Sequence, residues 1–100
     1  MKVLHLTLKK RWFDLVGNGK EEEYREVNSF WQSRLQVNGY HQFEFKTFDR
    51  VLFANGGHFG NVPKKTFECN GIEIREGRPE WGAEPGKKYF VIKLGKQIKP

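Results

Sequence analysis

The fold begins with Val3-Leu4-His5-Leu6-Thr7-Leu8, in which leucines alternate with other residues. A period of two is typical of a β-strand that buries one face. We therefore predict a strand over residues 3–8, with its leucine side in the core. His5 and Thr7 lie on the opposite side, where they can face a cleft, although a lone histidine is more often an ordinary barrel residue.

A short helix and a charged strand are predicted next. Aromatic and aliphatic residues recur at helical spacing in residues 9–16. Residues 17–19, which read Gly-Asn-Gly, readily take the left-handed conformation that ends a helix. Residues 20–27 are charged but have an extended pattern, so we predict a polar strand or rim segment.

A second helix and further strands are predicted in the rest of the chain. Asn28 or Ser29 can cap a short helix that reaches Leu35, because their side-chain oxygens accept the free amide hydrogens of a first turn. The further strands are predicted at residues 40–48 after an Asn-Gly turn, 51–54, 66–75 and 88–94. Near Gly71 the apolar phase slips by one residue, which indicates a β-bulge. The glycine-rich loop at residues 55–61 is a candidate lid.

The element order, β-α-β-α followed mainly by strands, defines the expected fold class. It predicts an α+β fold, a mixed β-barrel flanked by short helices. The chain has 100 residues, so we expect residues 1–100 to form a single domain. Hydrophobic residues make up 37% of the chain and aromatic residues 15%, which predicts a modest core rich in rings.

The composition favours an anionic partner. The chain has 18 Lys and Arg residues against 12 Asp and Glu residues, a formal net charge of +6 and a pI of about 9.6. Positive charge in this excess attracts polyanions, so RNA or a nucleotide is the expected partner.

Other features argue against export, membrane insertion and metal binding. The apolar runs are far shorter than the roughly 20 residues that cross a bilayer, and the N-terminus lacks the apolar block of a signal peptide. Cys69 is the one cysteine and cannot form an intrachain disulfide, so a cytoplasmic location is expected. The three histidines lie in separate segments, so no metal site is predicted. We expect a monomer without a cofactor.

One segment carries a family resemblance. Gly19-Lys20-Glu21-Glu22-Glu23-Tyr24-Arg25 follows the first strand and helix, and it resembles the Gly-x-Lys-x-x-Glu-x-Arg pattern of the ASCH family of PUA-like domains. Further blocks are similar to the small phage and bacterial members, at residues 48–51, 55–56, 68–72 and 79–92. The resemblance covers nearly the whole chain. It implies a PUA-like β-barrel with a cleft beside the first helix that accepts RNA.

The resemblance also implies hydrolysis as an alternative function, since ribonuclease activity is associated with the family. One branch removes the acetyl group from N4-acetylcytidine with a lysine, a threonine three residues later and a glutamate from a later strand. Lys20 fits the lysine position, whereas Glu23 stands in place of the threonine. A carboxylate there would change the acyl intermediate to an anhydride, so the sequence departs from that branch.

The residues of the motif allow two interpretations on their own chemistry. Lys20 and Arg25 can bind a phosphate, and Arg25 can do so as a planar fork. Alternatively, Lys20 and Arg25 flank Glu23 as an ion-paired rim of the barrel.

The tryptophans are the rings most able to stack on a base, an interaction worth about 1–3 kcal/mol per base. Helical spacing to Val16 places Trp12 in the core, and Trp31 falls in the second helix. Trp81 lies in a loop rich in proline and glycine, where it either anchors the loop to the barrel or lines a site.

Our first hypothesis is therefore an RNA-binding module with a basic cleft, in which Glu23 accepts a hydrogen bond from the exocyclic amine of an extruded base. The predicted binding residues are Thr7, Lys9, Lys20, Glu23, Arg25 and Trp81. The alternative is a small hydrolase, with catalytic residues Lys20, Glu23 and Glu68. A third possibility is a barrel that binds a protein through an exposed strand edge.

Overall fold

The computed structural model describes residues 1–37, 44–56 and 60–99. Within these residues the chain forms five strands and two short α-helices, with one 3₁₀ turn at Pro79–Trp81. In chain order the elements are β1 (Val3–Leu8), α1 (Lys10–Leu15), β2 (Glu22–Glu26), α2 (Ser29–Leu35), β3 (Arg50–Asn55), β4 (Lys64–Glu76) and β5 (Lys88–Ile98). The predicted order β-α-β-α followed by strands is confirmed.

All five strands belong to one curled sheet in the order β1-β3-β4-β5-β2. β1 pairs with β3 in parallel, and the other neighbours pair antiparallel. The sheet forms a half-barrel, and the two short helices make the fold a mixed α+β structure. Because β1 and β2 stand at the two ends of the strand order, each has one edge that pairs with no other described strand.

The main core consists of side chains from β1, β3, β4 and β5 together with residues of both helices. Leu4, Leu6 and Leu8 are all buried, as the alternation in β1 predicts. The rings of Phe53 and Phe67 meet edge to face with centroids 5.8 Å apart, a geometry that aromatic pairs favour. Burial of each such side chain contributes about 1.5–3 kcal/mol, so rings supply much of the stability of this small domain.

The predicted β-bulge is present in β4. Its pairing with β5 shifts register between Phe67 and Cys69 and again between Cys69 and Ile72. Gly71 has a φ of 107°, in the left-handed region that favours glycine. The shifts let both Phe67 and Ile72 enter the core although one is odd-numbered and the other even-numbered.

The segment after α1 contains the predicted charged strand, β2, but this strand is not a fully exposed polar rim. Glu23 and Tyr24 are consecutive in β2, yet both are buried. Consecutive residues of a strand point to opposite faces, so both faces of β2 are covered. Tyr24 packs in a second, small cluster with Ala83, Tyr89 and Val91. These residues are distant from Tyr24 in the sequence, so the local pattern of residues 20–27 could not predict its burial.

Some sequence predictions fall on residues outside the described ranges. The Asn-Gly turn and residues 40–43 of the strand predicted at residues 40–48 lie there, as do residues 57–59 of the candidate lid. In the described remainder of that strand, Phe45 forms an isolated bridge with Gln36. Among the described residues, no helix is long and apolar enough to span a membrane.

The start of α2 provides a test of the local structure. Oδ1 of Asn28 accepts a hydrogen bond from the backbone N–H of Trp31 at 3.0 Å. Asn28→Ala should therefore destabilise the domain by about 1 kcal/mol, measured by urea unfolding. The control is Ser29→Ala, because Ser29 is the other candidate from the sequence but is not the acceptor. Equal losses in the two variants would contradict this assignment of the cap.

Candidate functional site

A cavity of about 990 Å³ lies between the two edge strands of the half-barrel. β1 and β2 both line it, α2 contributes one side, and Trp12 and the turn at Trp81 and Gly82 contribute another. Because these two strands end the strand order, the cavity lies at the open side of the half-barrel. A ligand can therefore enter through the gap between the edge strands β1 and β2.

The three tryptophans of the chain all line this cavity. Trp12 and Trp31 also pack against the main core, and Trp81 packs against the small cluster around Tyr24. Gly82 has a φ of 100°, and a Cβ there would lie 2.9 Å from the Trp12 ring, so only glycine allows this close contact. The placement of Trp12 in the core was thus right only in part, and Trp81 both anchors its loop and lines the site.

A buried ion-pair cluster lies beside the tryptophans. Nζ of Lys20 is 2.9 Å from Oε1 of Glu23, and Nη1 of Arg25 is 2.5 Å from Oε2 of the same carboxylate. The side chains of Lys20, Glu23 and Arg25 are 0%, 6% and 17% exposed. Each carboxylate oxygen therefore has its own cationic donor, which offsets the cost of burying the charge.

Arg25 also connects the two edge strands. Its Nη2 donates to the backbone oxygen of Thr7 at 2.8 Å, which links β2 to β1 across the gap. Its guanidinium carbon lies 5.2 Å from the centroid of the Trp31 ring, within cation–π range. Arg25 thus contacts Glu23 in β2, Thr7 in β1 and Trp31 in α2.

The Lys20 side chain is fully buried, and Lys20 is not among the described residues that line the cavity. Its ammonium donates to the backbone oxygen of Glu22 as well as to Glu23, and it lies 5.1 Å from the Tyr24 ring centroid. Burial lowers the pKa of Lys20 below its ordinary value of 10.5, although the Glu23 carboxylate opposes this change. In this structure Lys20 supports Glu23, and Glu23 and Arg25 are the charged groups of the cluster that line the cavity.

Further cations surround the mouth of the cavity. Lys9, Arg34 and Lys46 all line it, and Lys9 and Arg34 are exposed. Nζ of Lys46 donates to the backbone oxygen of Ser33 at 3.0 Å, which ties the segment after α2 to the helix. The mouth is therefore positively charged while the walls are aromatic.

The structure brings together most of the residues predicted from sequence. Those that line the cavity are Thr7, Lys9, Glu23, Arg25 and Trp81. Lys20 contacts Glu23 from behind, whereas Glu68 is exposed in β4 and accepts a hydrogen bond from the backbone N–H of Lys96 at 3.2 Å. Glu68 is not among the described residues that line the cavity.

Several residues of the cavity were missed as site residues, among them Phe30, Arg34 and Lys46. Phe30 and Arg34 are four residues apart, a spacing that places them on one face of a helix. The sequence shows this spacing in the predicted second helix. It does not show that the helix lies beside β1 and β2, and without that position the two residues cannot be assigned to the site.

Within the described residues, no group of three or more His, Cys, Asp and Glu side chains could hold a metal ion. Comparisons with protein-family models, with curated proteins and with solved structures found no match to this chain.

The lowered pKa of Lys20 predicts a pH dependence of stability. The folded protein releases the Lys20 proton at a lower pH than the unfolded chain, so the unfolded chain binds more protons between the two pKa values. Stability from this group therefore increases with pH in the alkaline range below 10.5. We expect the free energy of unfolding of the wild type, minus that of Lys20→Met, to rise with pH across this range.

Urea unfolding at several alkaline pH values measures this difference. The control is Lys10→Met, which removes a lysine whose side chain is 77% exposed and leaves Lys20 in place. A difference between wild type and Lys20→Met that stays constant or decreases with pH would contradict the burial of the ammonium.

Proposed function

We propose that this domain binds single-stranded RNA, or a nucleotide with a modified base, in the cavity between β1 and β2. One observation carries the proposal: the cavity combines tryptophan walls with a cationic mouth. Aromatic rings stack on bases, and cations bind the phosphates that join them. The net charge of +6 supports the same class of partner.

The shape of the site favours unpaired bases. A base inside a duplex is already stacked and paired, so an aromatic cavity can accept it only after it has left the duplex. Single-stranded RNA offers such bases without the cost of unpairing. We therefore place the base between the tryptophans and the phosphates near Lys9, Arg34 and Lys46.

Glu23 is the group that we propose to recognise the base. Its two oxygens accept from Lys20 and Arg25, but each carboxylate oxygen has a further lone pair. The exocyclic amine of a base can donate to that position. Lys20 and Arg25 hold the carboxylate still, and a fixed acceptor loses less conformational entropy on binding than a mobile one.

We also propose that the domain is a PUA-like barrel of the ASCH type. The half-barrel sheet, the cavity beside α1 and the Lys20–Glu23–Arg25 cluster support this assignment. Cytoplasmic location and a monomeric state stay predictions from the sequence.

The hydrolase alternative receives less support from the geometry. Its three predicted catalytic residues are separated: Glu23 lines the cavity, Lys20 lies behind it, and Glu68 lies on β4 with its carboxylate near the N–H of Lys96. A reacting bond in the cavity would contact only Glu23 among them. We therefore favour binding over catalysis.

The cationic mouth predicts salt-dependent binding of RNA. The affinity should fall as salt rises, and each phosphate contact contributes about 0.7 to the slope of log K against log salt for a single strand. Lys9→Ala should weaken binding and lower the magnitude of this slope by about 0.7. Fluorescence anisotropy of a labelled single-stranded RNA at a series of salt concentrations measures both quantities.

The matched control is Lys96→Ala, because Lys96 is also exposed but is not among the described residues of the cavity. Equal affinities and slopes for wild type, Lys9→Ala and Lys96→Ala would contradict an RNA site at this mouth. Mass analysis of the RNA after the titration separates binding from hydrolysis, since shortened or chemically altered RNA would support the enzyme.

A further inference from the structure

Phe30 is a large apolar side chain that remains exposed at the mouth of the cavity. Its exposed fraction is 52%, although it lines the same cavity as the buried parts of the tryptophans. A single exposed hydrophobic residue is common on protein surfaces. Phe30 differs from such a residue because its neighbours hold the ring in a defined orientation.

Two contacts orient the Phe30 ring. It meets Trp31 edge to face, with centroids 5.0 Å apart and planes at 83°. The guanidinium carbon of Arg34 lies 3.5 Å from the Phe30 ring centroid, and Nη1 of Arg34 donates to the backbone oxygen of Phe30 at 3.2 Å. The ring is thus braced by two side chains of its own helix, while about half of its surface stays open to solvent.

The two rings of α2 serve different parts of the site. Consecutive residues of an α-helix point about 100° apart. Trp31 is partly buried against the main core and contacts Arg25, whereas Phe30 faces outward. An aromatic surface therefore continues from the interior of the cavity to its outside.

The size of the cavity fits an occupant larger than one base. Its volume of about 990 Å³ is at the upper end of the about 300–1,000 Å³ that is usual for small-molecule sites. The cations Arg34 and Lys46 line the cavity together with Phe30. A phosphate near them would lie between a base in the cavity and a base on Phe30.

We infer that the site binds two consecutive nucleotides, with the first base in the cavity and the second stacked on Phe30. This inference rests on the proposed function, because it specifies the length of RNA that the same cavity takes. The phosphate between the two nucleosides lies near Arg34 and Lys46, and α2 provides the platform along which the strand leaves the cavity.

Calorimetric titration with AMP and with the 5′-phosphorylated dinucleotide pApA tests the inference. Wild type should bind pApA more tightly than AMP. Phe30→Ala should weaken binding of pApA by about 5- to 150-fold, the range for loss of one stacked base, and weaken binding of AMP by a clearly smaller factor. Phe30→Leu, which keeps apolar area but lacks a ring, should lose affinity for pApA in the same direction.

Val27→Ala is the matched control, since Val27 is 39% exposed and lies just before α2, yet it is not among the described residues of the cavity. Its affinities should equal those of wild type. Circular dichroism of each variant checks that the fold is retained.

The outcomes separate this inference from the proposed function. If wild type binds neither AMP nor pApA nor a longer RNA, the proposed function fails. If wild type binds them but Phe30→Ala weakens AMP and pApA equally, or weakens neither, the second base position is overturned while the cavity remains a nucleotide site. Full affinity of Phe30→Leu for pApA would likewise overturn stacking on Phe30.

Discussion

The Glu23 carboxylate, held between Lys20 and Arg25, is the interaction on which the site depends. An ion in a poorly solvated position costs several kcal/mol unless oppositely charged groups and hydrogen bonds compensate it. Both oxygens of Glu23 have such a donor. Glu23 and Arg25 both lie on β2, and Arg25 also donates to the backbone oxygen of Thr7 in β1, so the pairing orients the guanidinium that links the two edge strands.

The cavity lies where the half-barrel is open, between the two edge strands. β1 and β2 form the two edges of the sheet, and exposed edges are prone to pair with other chains. Here Arg25 crosses the gap to the backbone oxygen of Thr7 and contacts the Trp31 ring. Within the described part of the chain, side chains bridge the two edges, so an opening remains that aromatic rings and cations surround.

The local parts of the fold could be predicted from the sequence, because they depend on short-range patterns. The alternation of β1, the glycine turn after α1 and the bulge near Gly71 all follow from neighbours within a few residues. The parallel pairing of β1 with β3 could not be predicted in this way, since about forty residues of chain separate the two strands. That pairing places β1 at one edge and so creates the gap.

The charged network of the site could also be predicted from the sequence, whereas its position relative to the cavity could not. The spacing in Lys20-Glu21-Glu22-Glu23-Tyr24-Arg25 suggested that three charged groups form one network, and they do. Which of them reaches the cavity depends on how Tyr24 and Trp12 cover Lys20, and no local pattern contains that information. The role of α2 was missed for the same reason, because Phe30 and Arg34 become site residues only through the docking of the helix.

A double-mutant cycle on Lys20→Met and Glu23→Gln tests the central claim most directly. The free energies of unfolding of wild type, both single variants and the double variant give the coupling between the two side chains. The buried pair predicts a double variant that is less destabilised than the sum of the single variants by at least about 1 kcal/mol. Single-variant effects that add to within about 0.5 kcal/mol would contradict the account, since the carboxylate would then not depend on the lysine beneath it.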